Sequence, residues 1–270
     1  MGKALGKILF FIGLVVGIVL ITEPIASHFI DSKYPQWFLA ESMRLLMILS
    51  LYWAFNRFID SVPFVATPLA KSLNRPSLVF LGLALGTCLI LSTFGISLAL
   101  GVIHVQPTIP EWKEYVKYVA LLATMMLFTA IWEETVFRGY VLDRLSKITG
   151  VHVSCVIVAG VFGAMHLLSP IKSWQMVLST FFAGLFLNYA FMNARNLGFV
   201  ISIHFAWNLF NSLLYSKKYM QVAYLSPLWA GNKNPEEGIV AIALTFVGFL
   251  IAFAIIPRLK IFREILRTAG

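Results

Sequence analysis

Residues 118–139 read YVALLATMMLFTAIWEETVFRG, an uncharged run from Tyr118 to Trp132 that leads straight into two adjacent acids and an arginine. The run has the apolar character of helix at membrane depth, and the helical reading continues through Phe137. Glu133, Glu134 and Arg138 therefore belong inside the bilayer. An unpaired charge there costs at least ~2.5 kcal/mol on insertion scales, so each must face a partner or a cavity. Glu134 and Arg138 are four residues apart, share a helix face and can pair. Glu133 is turned by about 100 degrees from that face, toward a different neighbour. One acid is held and the other is left to act.

The rest of the chain has the same character. Of 270 residues, 59% are hydrophobic and 12% charged, against roughly 25% charged in soluble domains. The sequence describes an integral membrane protein, and cutting it at charged residues leaves uncharged runs at 8–22, 45–56, 76–110, 118–132, 148–171, 173–194, 196–216 and 238–257. The long stems of Lys7, Arg44 and Lys117 extend the first, second and fourth runs to spanning length. The predicted fold is all-α, a single polytopic domain over 1–270 with about eight transmembrane helices. Glu41 and Arg44 make the second amphipathic, so it can also lie in the interface.

The formal charge of +9 falls between the hydrophobic runs, which is how topology signals are distributed; nucleic acid is not an expected partner, and the lipid bilayer is. Thirteen basic residues lie on the side that holds both termini and seven on the other, with Arg44 inside a span. Both termini, and with them the mouth of the polar pocket, are predicted to face the cytoplasm. The expected location is a prokaryotic cell membrane. Cys88 and Cys155 fall within spans and imply no disulfide framework. The basic N-terminus and first run share a pattern with cleavable signal peptides, but Pro24-Ile25-Ala26 is a poor cleavage site.

In order, the sequence predicts outer loops at 24–38 and 104–114 and a cytoplasmic loop at 58–77. A long helix runs from Tyr115 through the acids to about Lys147, closed by Gly150. Further spans begin near Val151, Ser173, Gly198 and Glu237, and short links at Pro170 and Asn193–Asn196 make the fifth, sixth and seventh antiparallel neighbours. Gly82 with Gly86, and Gly13 with Gly17, have the spacing that lets helices approach closely. Tyr219, Tyr224 and Trp229 in the 217–237 loop read as interface anchors.

Three more polar residues are hidden in the second half: His166 in the fifth span, and His204 and Asn208 on one face of the seventh. Singly, each reads as a packing element. Together with the acids they fall in a plausible common layer, Glu133 and His166 both about 21 to 23 Å from the predicted cytoplasmic side. His28, His104 and His152 lie near span ends and read as interfacial.

The run Glu133-Glu134-xxx-Arg138, then Phe162-xxx-His166, then His204-xxx-Asn208, resembles in order and internal spacing the three motifs of the CPBP intramembrane proteases, the CAAX prenyl protease and bacteriocin-processing group also called Abi. The resemblance covers about 115–215. It implies an all-helical membrane fold and hydrolysis of a peptide bond, in a membrane-associated protein or peptide, near the cytoplasmic face. By motif position Glu133 is similar to the family's water-activating base, assisted by His166. His204 and Asn208 resemble its oxyanion-stabilising pair, and Glu134 with Arg138 its supporting residues. The chemistry agrees, since a buried carboxylate can take a proton from water while side-chain donors stabilise the oxyanion.

Two histidines and a glutamate can also hold zinc, with Glu133, His166 and His204 as ligands. There is no HExxH pair, however, and the three would come from separate helices; the sequence favours a mechanism without cofactor. Other readings are a non-catalytic immunity or partner-binding protein, against which the intact acids and histidines speak, and a proton-relaying transporter, which no internal repeat supports.

Overall fold

A computed structural model of the protein describes residues 2–72, 74–108, 111–168, 173–215, 219–232, 234–255 and 258. The link at Pro170, the loop cations Lys172, Lys217, Lys218 and Lys233, and the terminal cations Lys260, Arg263 and Arg267 lie outside these residues. The helices are α1 (Gly2–Phe29), α2 (Lys33–Ala54), α3 (Pro68–Ser72), α4 (Pro76–Ala99), α5 (Trp112–Glu134), α6 (Asp143–Thr149), α7 (Val151–Met165), α8 (Trp174–Ala194), α9 (Leu197–Leu214), α10 (Pro227–Ala230) and α11 (Ile239–Leu250). A π-helical stretch, Thr135–Leu142, joins α5 to α6 into one helix of 38 residues. The protein is an all-α polytopic membrane protein.

Each of the eight uncharged runs forms a helix, but among the described residues six are long and apolar enough to cross a membrane. The fifth and eighth are short: Val151–Met165 reaches only about 22 Å against a hydrocarbon core of about 30 Å. The uncharged run 148–171 had counted a tight turn, His166–Leu168, as span. Absence of charge marks what lipid tolerates, not where a helix stops. The second run forms one of the six candidates, Lys33–Ile59. The expected 24–38 loop also shrinks, because α1 continues through Pro24 to Phe29 and α2 starts at Lys33. Pro35 sits in the first turn of α2, where the missing N–H has no helical partner to lose.

The bundle has two distinct ends. At the end where α1 begins, Asp60 accepts from Lys7 Nζ at 3.1 Å and Arg144 Nε at 2.7 Å, and Arg144 also donates to Asn56 at 2.6 Å. Burial pushes the Asp60 carboxyl up, but the hydrogen bonds from Arg144 and Lys7 prevail and hold it below the usual carboxylate range. This tie is therefore present above about pH 4 and weakens as pH falls through the lowered value. At the opposite end, Ile103–Pro107 (β1) pairs antiparallel with Met220–Tyr224 (β2), with Val105 opposite Val222. The sequence reads both segments as loop, since strands of five residues carry little periodicity.

Helix α9 packs mainly against α4 and α5, and α8 against α7 and α11, so the seventh span is a lesser neighbour of the sixth than the short link suggests. The α4–α9 seam depends on glycine. A Cβ at Gly82 would lie 2.4 Å from the Phe199 carbonyl oxygen, and one at Gly86 2.3 Å from that of Ile203. At Gly13 and Gly17 a Cβ meets nothing within 4 Å, so that pair, expected to pack, does not. Spacing defines a smooth face but not whether a helix covers it. Gly86→Leu should accordingly destabilise by about 1 to 3 kcal/mol, lowering the Tm in detergent, while Gly17→Leu leaves it in place; equal melting shifts would refute the close seam.

Candidate active site

Arg138 anchors the site. It is fully buried in the π-helical stretch, with Nη1 2.7 Å from Glu134 Oε1, Nε donating to Asn188 Oδ1 at 2.8 Å and Nη2 to the Gly184 carbonyl at 3.1 Å. Its guanidinium also lies over the Phe162 ring, 4.9 Å from the centroid. Asn188 passes the link on, donating to the Cys155 carbonyl at 2.8 Å. One cation thus ties α5 to α8 and α7, and the predicted one-turn pair with Glu134 is present. Asn188 was missed by sequence reasoning, although an amide well inside the uncharged run 173–194 is itself a signal.

Glu134 does more than balance Arg138. The same Oε1 accepts from His204 Nδ1 at 2.8 Å. A carboxylate has no proton to give, so Nδ1 carries the hydrogen and the Nε2 atom faces the other way, 3.8 Å from Glu133 Oε2. The sequence puts Glu134 on a face apart from the chemistry; the structure has it holding a site histidine. Helix packing across 70 residues of chain made that pair.

His166 stands where α7 tightens into the His166–Leu168 turn, at the end of the helix rather than within it. Its Nδ1 lies 3.0 Å from the Phe162 carbonyl oxygen, which makes Nδ1 the donor and leaves Nε2 the acceptor character. Glu133, His166, His204 and Asn208 all line one cavity of about 120 Å³, walled by Leu89, Phe162, Phe186, Leu187 and Ile203. The four residues expected to carry chemistry are brought together.

The same cavity is lined by Glu236, which the sequence does not single out. Its carboxylate accepts from Trp207 Nε1 at 2.8 Å and Asn211 Nδ2 at 3.3 Å. The segment read as interface anchors therefore reaches into the bundle. Tyr219 packs edge-on against Tyr115 and Tyr118, with centroids 5.2 Å away in both cases, while Trp229 stays exposed as expected. His152, by contrast, pairs with the Tyr189 hydroxyl at 2.8 Å, away from the site.

A second cavity, of about 270 Å³, meets the first at Glu133, Phe162 and His166 and is lined further by Glu23, Glu41, Arg44 and Thr129. Glu41 and Arg44 form a buried pair, and Arg44 also donates to Thr22 Oγ1 at 2.8 Å and to Glu23 at 3.0 Å. Glu41 Oε2 in turn accepts from Thr129 Oγ1 and Trp132 Nε1, both at 2.9 Å. The charges that make α2 amphipathic are satisfied inside the protein.

Both cavities extend from mid-bundle toward the β1–β2 end. Glu23 lies about 9 Å from the end of α1 and Glu41 about 12 Å from the start of α2, and Glu236 comes from the segment beyond β2. Among the described residues none from the Asp60–Arg144 end lines either cavity. The polar lining thus reaches toward the β1–β2 end, whereas the sequence expects the mouth on the side of the termini.

Among the described residues no three His, Cys, Asp or Glu side chains come together as a set able to hold a metal ion.

Residues 115–210 match a family model described as Type II CAAX prenyl endopeptidase Rce1-like. No curated protein and no solved structure matches the chain. Both acids, Arg138, Phe162, His166, Asn188, His204 and Asn208 fall within the matched residues, so the 115–210 core that carries the site is similar to the Rce1-like type II CAAX prenyl endopeptidases.

Proposed function

We propose that the protein is an intramembrane endopeptidase in which Glu133 activates water to cleave a peptide bond of a membrane-associated substrate, without a metal ion. The observation that carries this reading is the pairing of Glu133 with His204 Nε2 across the cavity, with Glu134 gripping the far side of the same ring. Glu133 takes a proton from water and the oxygen adds to the scissile carbonyl. His166, its Nε2 an acceptor, assists in holding that water. The oxyanion then meets His204 and Asn208.

Since Nδ1–H of His204 already points at Glu134, donation from Nε2 requires the imidazolium, which the Glu134 carboxylate stabilises. Collapse of the tetrahedral species passes the proton from Glu133 to the leaving amine. Arg138 holds the Glu134 carboxylate in place through its Nη1–H. The basic end fits a cytoplasmic placement in a prokaryotic cell membrane, and the polar lining then reaches toward the other side, in contrast to the cytoplasmic-face hydrolysis that the family resemblance implies.

The test is hydrolysis of apolar peptides, prenylated C-terminal tetrapeptides among them, by purified protein with and without strong chelation. Activity should persist under chelation. Asn208→Ala should lower kcat by about 10² to 10³ with folding retained, the range for loss of one oxyanion donor. Activity lost to chelator and restored by zinc would return Glu133, His166 and His204 to a metal role.

A further inference from the structure

Hydrolysis inside a membrane poses a problem of supply, because the cavity that holds His204 and Asn208 is walled by Leu89, Phe186, Leu187 and Ile203, and an apolar peptide that fills it displaces water. Glu133 and His166, however, face two cavities. We infer that the second cavity, walled by Glu23, Glu41, Arg44 and Thr129, is a water conduit that delivers the hydrolytic water to Glu133 from the side opposite the peptide.

The inference rests on the peptidase reading and adds the route. Beside Val19, Phe137 and Met165, its wall carries Glu23, Glu41, Arg44 and Thr129, four polar side chains that the first cavity does not share. Glu41, Arg44 and Glu23 form a chain of charge from Glu133 toward the surface, and the Glu23 side chain at its outer end is 61% exposed. Charged side chains at membrane depth are tolerated where they pair or meet water, and this set does both. A cavity of about 270 Å³ has room for several waters, each needing two to four polar partners, which the carboxylates, the Thr129 hydroxyl and the guanidinium provide. The partition is thin: Phe162 and the two catalytic side chains belong to both linings. Glu41 also holds Trp132, the residue before Glu133, so the wall of the conduit positions the base it serves.

The experiment uses full-length protein with Cys88→Ala and Cys155→Ala. Thr129→Cys and, separately, Asn208→Cys report on the two cavities through their rates of reaction with ethylammonium methanethiosulfonate. Val19→Trp, at a residue that lines the second cavity, obstructs the conduit; Glu23→Leu, at its exposed outer end, is a milder obstruction should the first disturb folding. Cys at 129 is expected to react, and obstruction to slow it at least tenfold while Cys at 208 stays within twofold. In the chain with its own cysteines, Val19→Trp should lower kcat at least tenfold and leave KM within twofold. An unreactive Cys at 129, equal slowing at both positions, or a rise in KM in place of a fall in kcat would overturn the conduit. If the unaltered chain cleaves no peptide, the peptidase reading and the route's purpose fall together, while the labelling still decides whether the cavity is wet.

Discussion

Glu133→Gln should reduce peptide hydrolysis by at least about 10² to 10⁴, the span ascribed to a positioned general base, while the protein folds and melts almost as before. The amide keeps the shape of the side chain but cannot accept the proton from water. Little else depends on it: the ring it faces stays held by Glu134 at 2.8 Å, and the Arg138 network does not include it. Because the base and the oxyanion donors act in the same step, Glu133→Gln combined with Asn208→Ala should lose less than the product of the two single effects. Purified variants assayed against one peptide decide it. Activity within tenfold of the unaltered chain in Glu133→Gln would remove the base assignment.

Arg138→Ala should destabilise the protein by about 3 to 5 kcal/mol, the cost of leaving one member of a buried ion pair without its partner. The change strands more than the carboxylate of Glu134. Asn188 Oδ1 and the Gly184 carbonyl lose their donor, and Phe162 loses the cation over its ring. Activity should fall with stability, since His204 is oriented through Glu134. Pairing Arg138→Ala with Glu134→Gln should recover part of the stability but not the activity, because a neutral amide no longer holds the imidazolium. A melting temperature unchanged in Arg138→Ala would show that the network does not hold the bundle together.

The location of the site was legible in 118–139 because burying charge in lipid is so unfavourable that two acids and an arginine there announce a polar interior. The Glu134–Arg138 pair was legible too, for it depends only on the local geometry of one helix, as did the close of the long helix before Gly150. Three motifs in order pointed to the family. Cross-helix partners were not legible. That Glu134 also takes His204, that Glu41 takes Thr129 and Trp132, and that Glu236 reaches Trp207 depend on how helices tilt and pack across 70, 88, 91 and 29 residues of chain.

Likewise, hydropathy counted eight apolar runs but not their helical lengths, and glycine spacing marked two smooth faces of which packing covers one. By itself the sequence determined an all-helical membrane protein with a polar site built on one helix, because desolvation and helical periodicity act locally. Only the tertiary structure decided that His204 meets both acids and which residues share each cavity, because those depend on the mutual arrangement of rigid helices that no single stretch encodes.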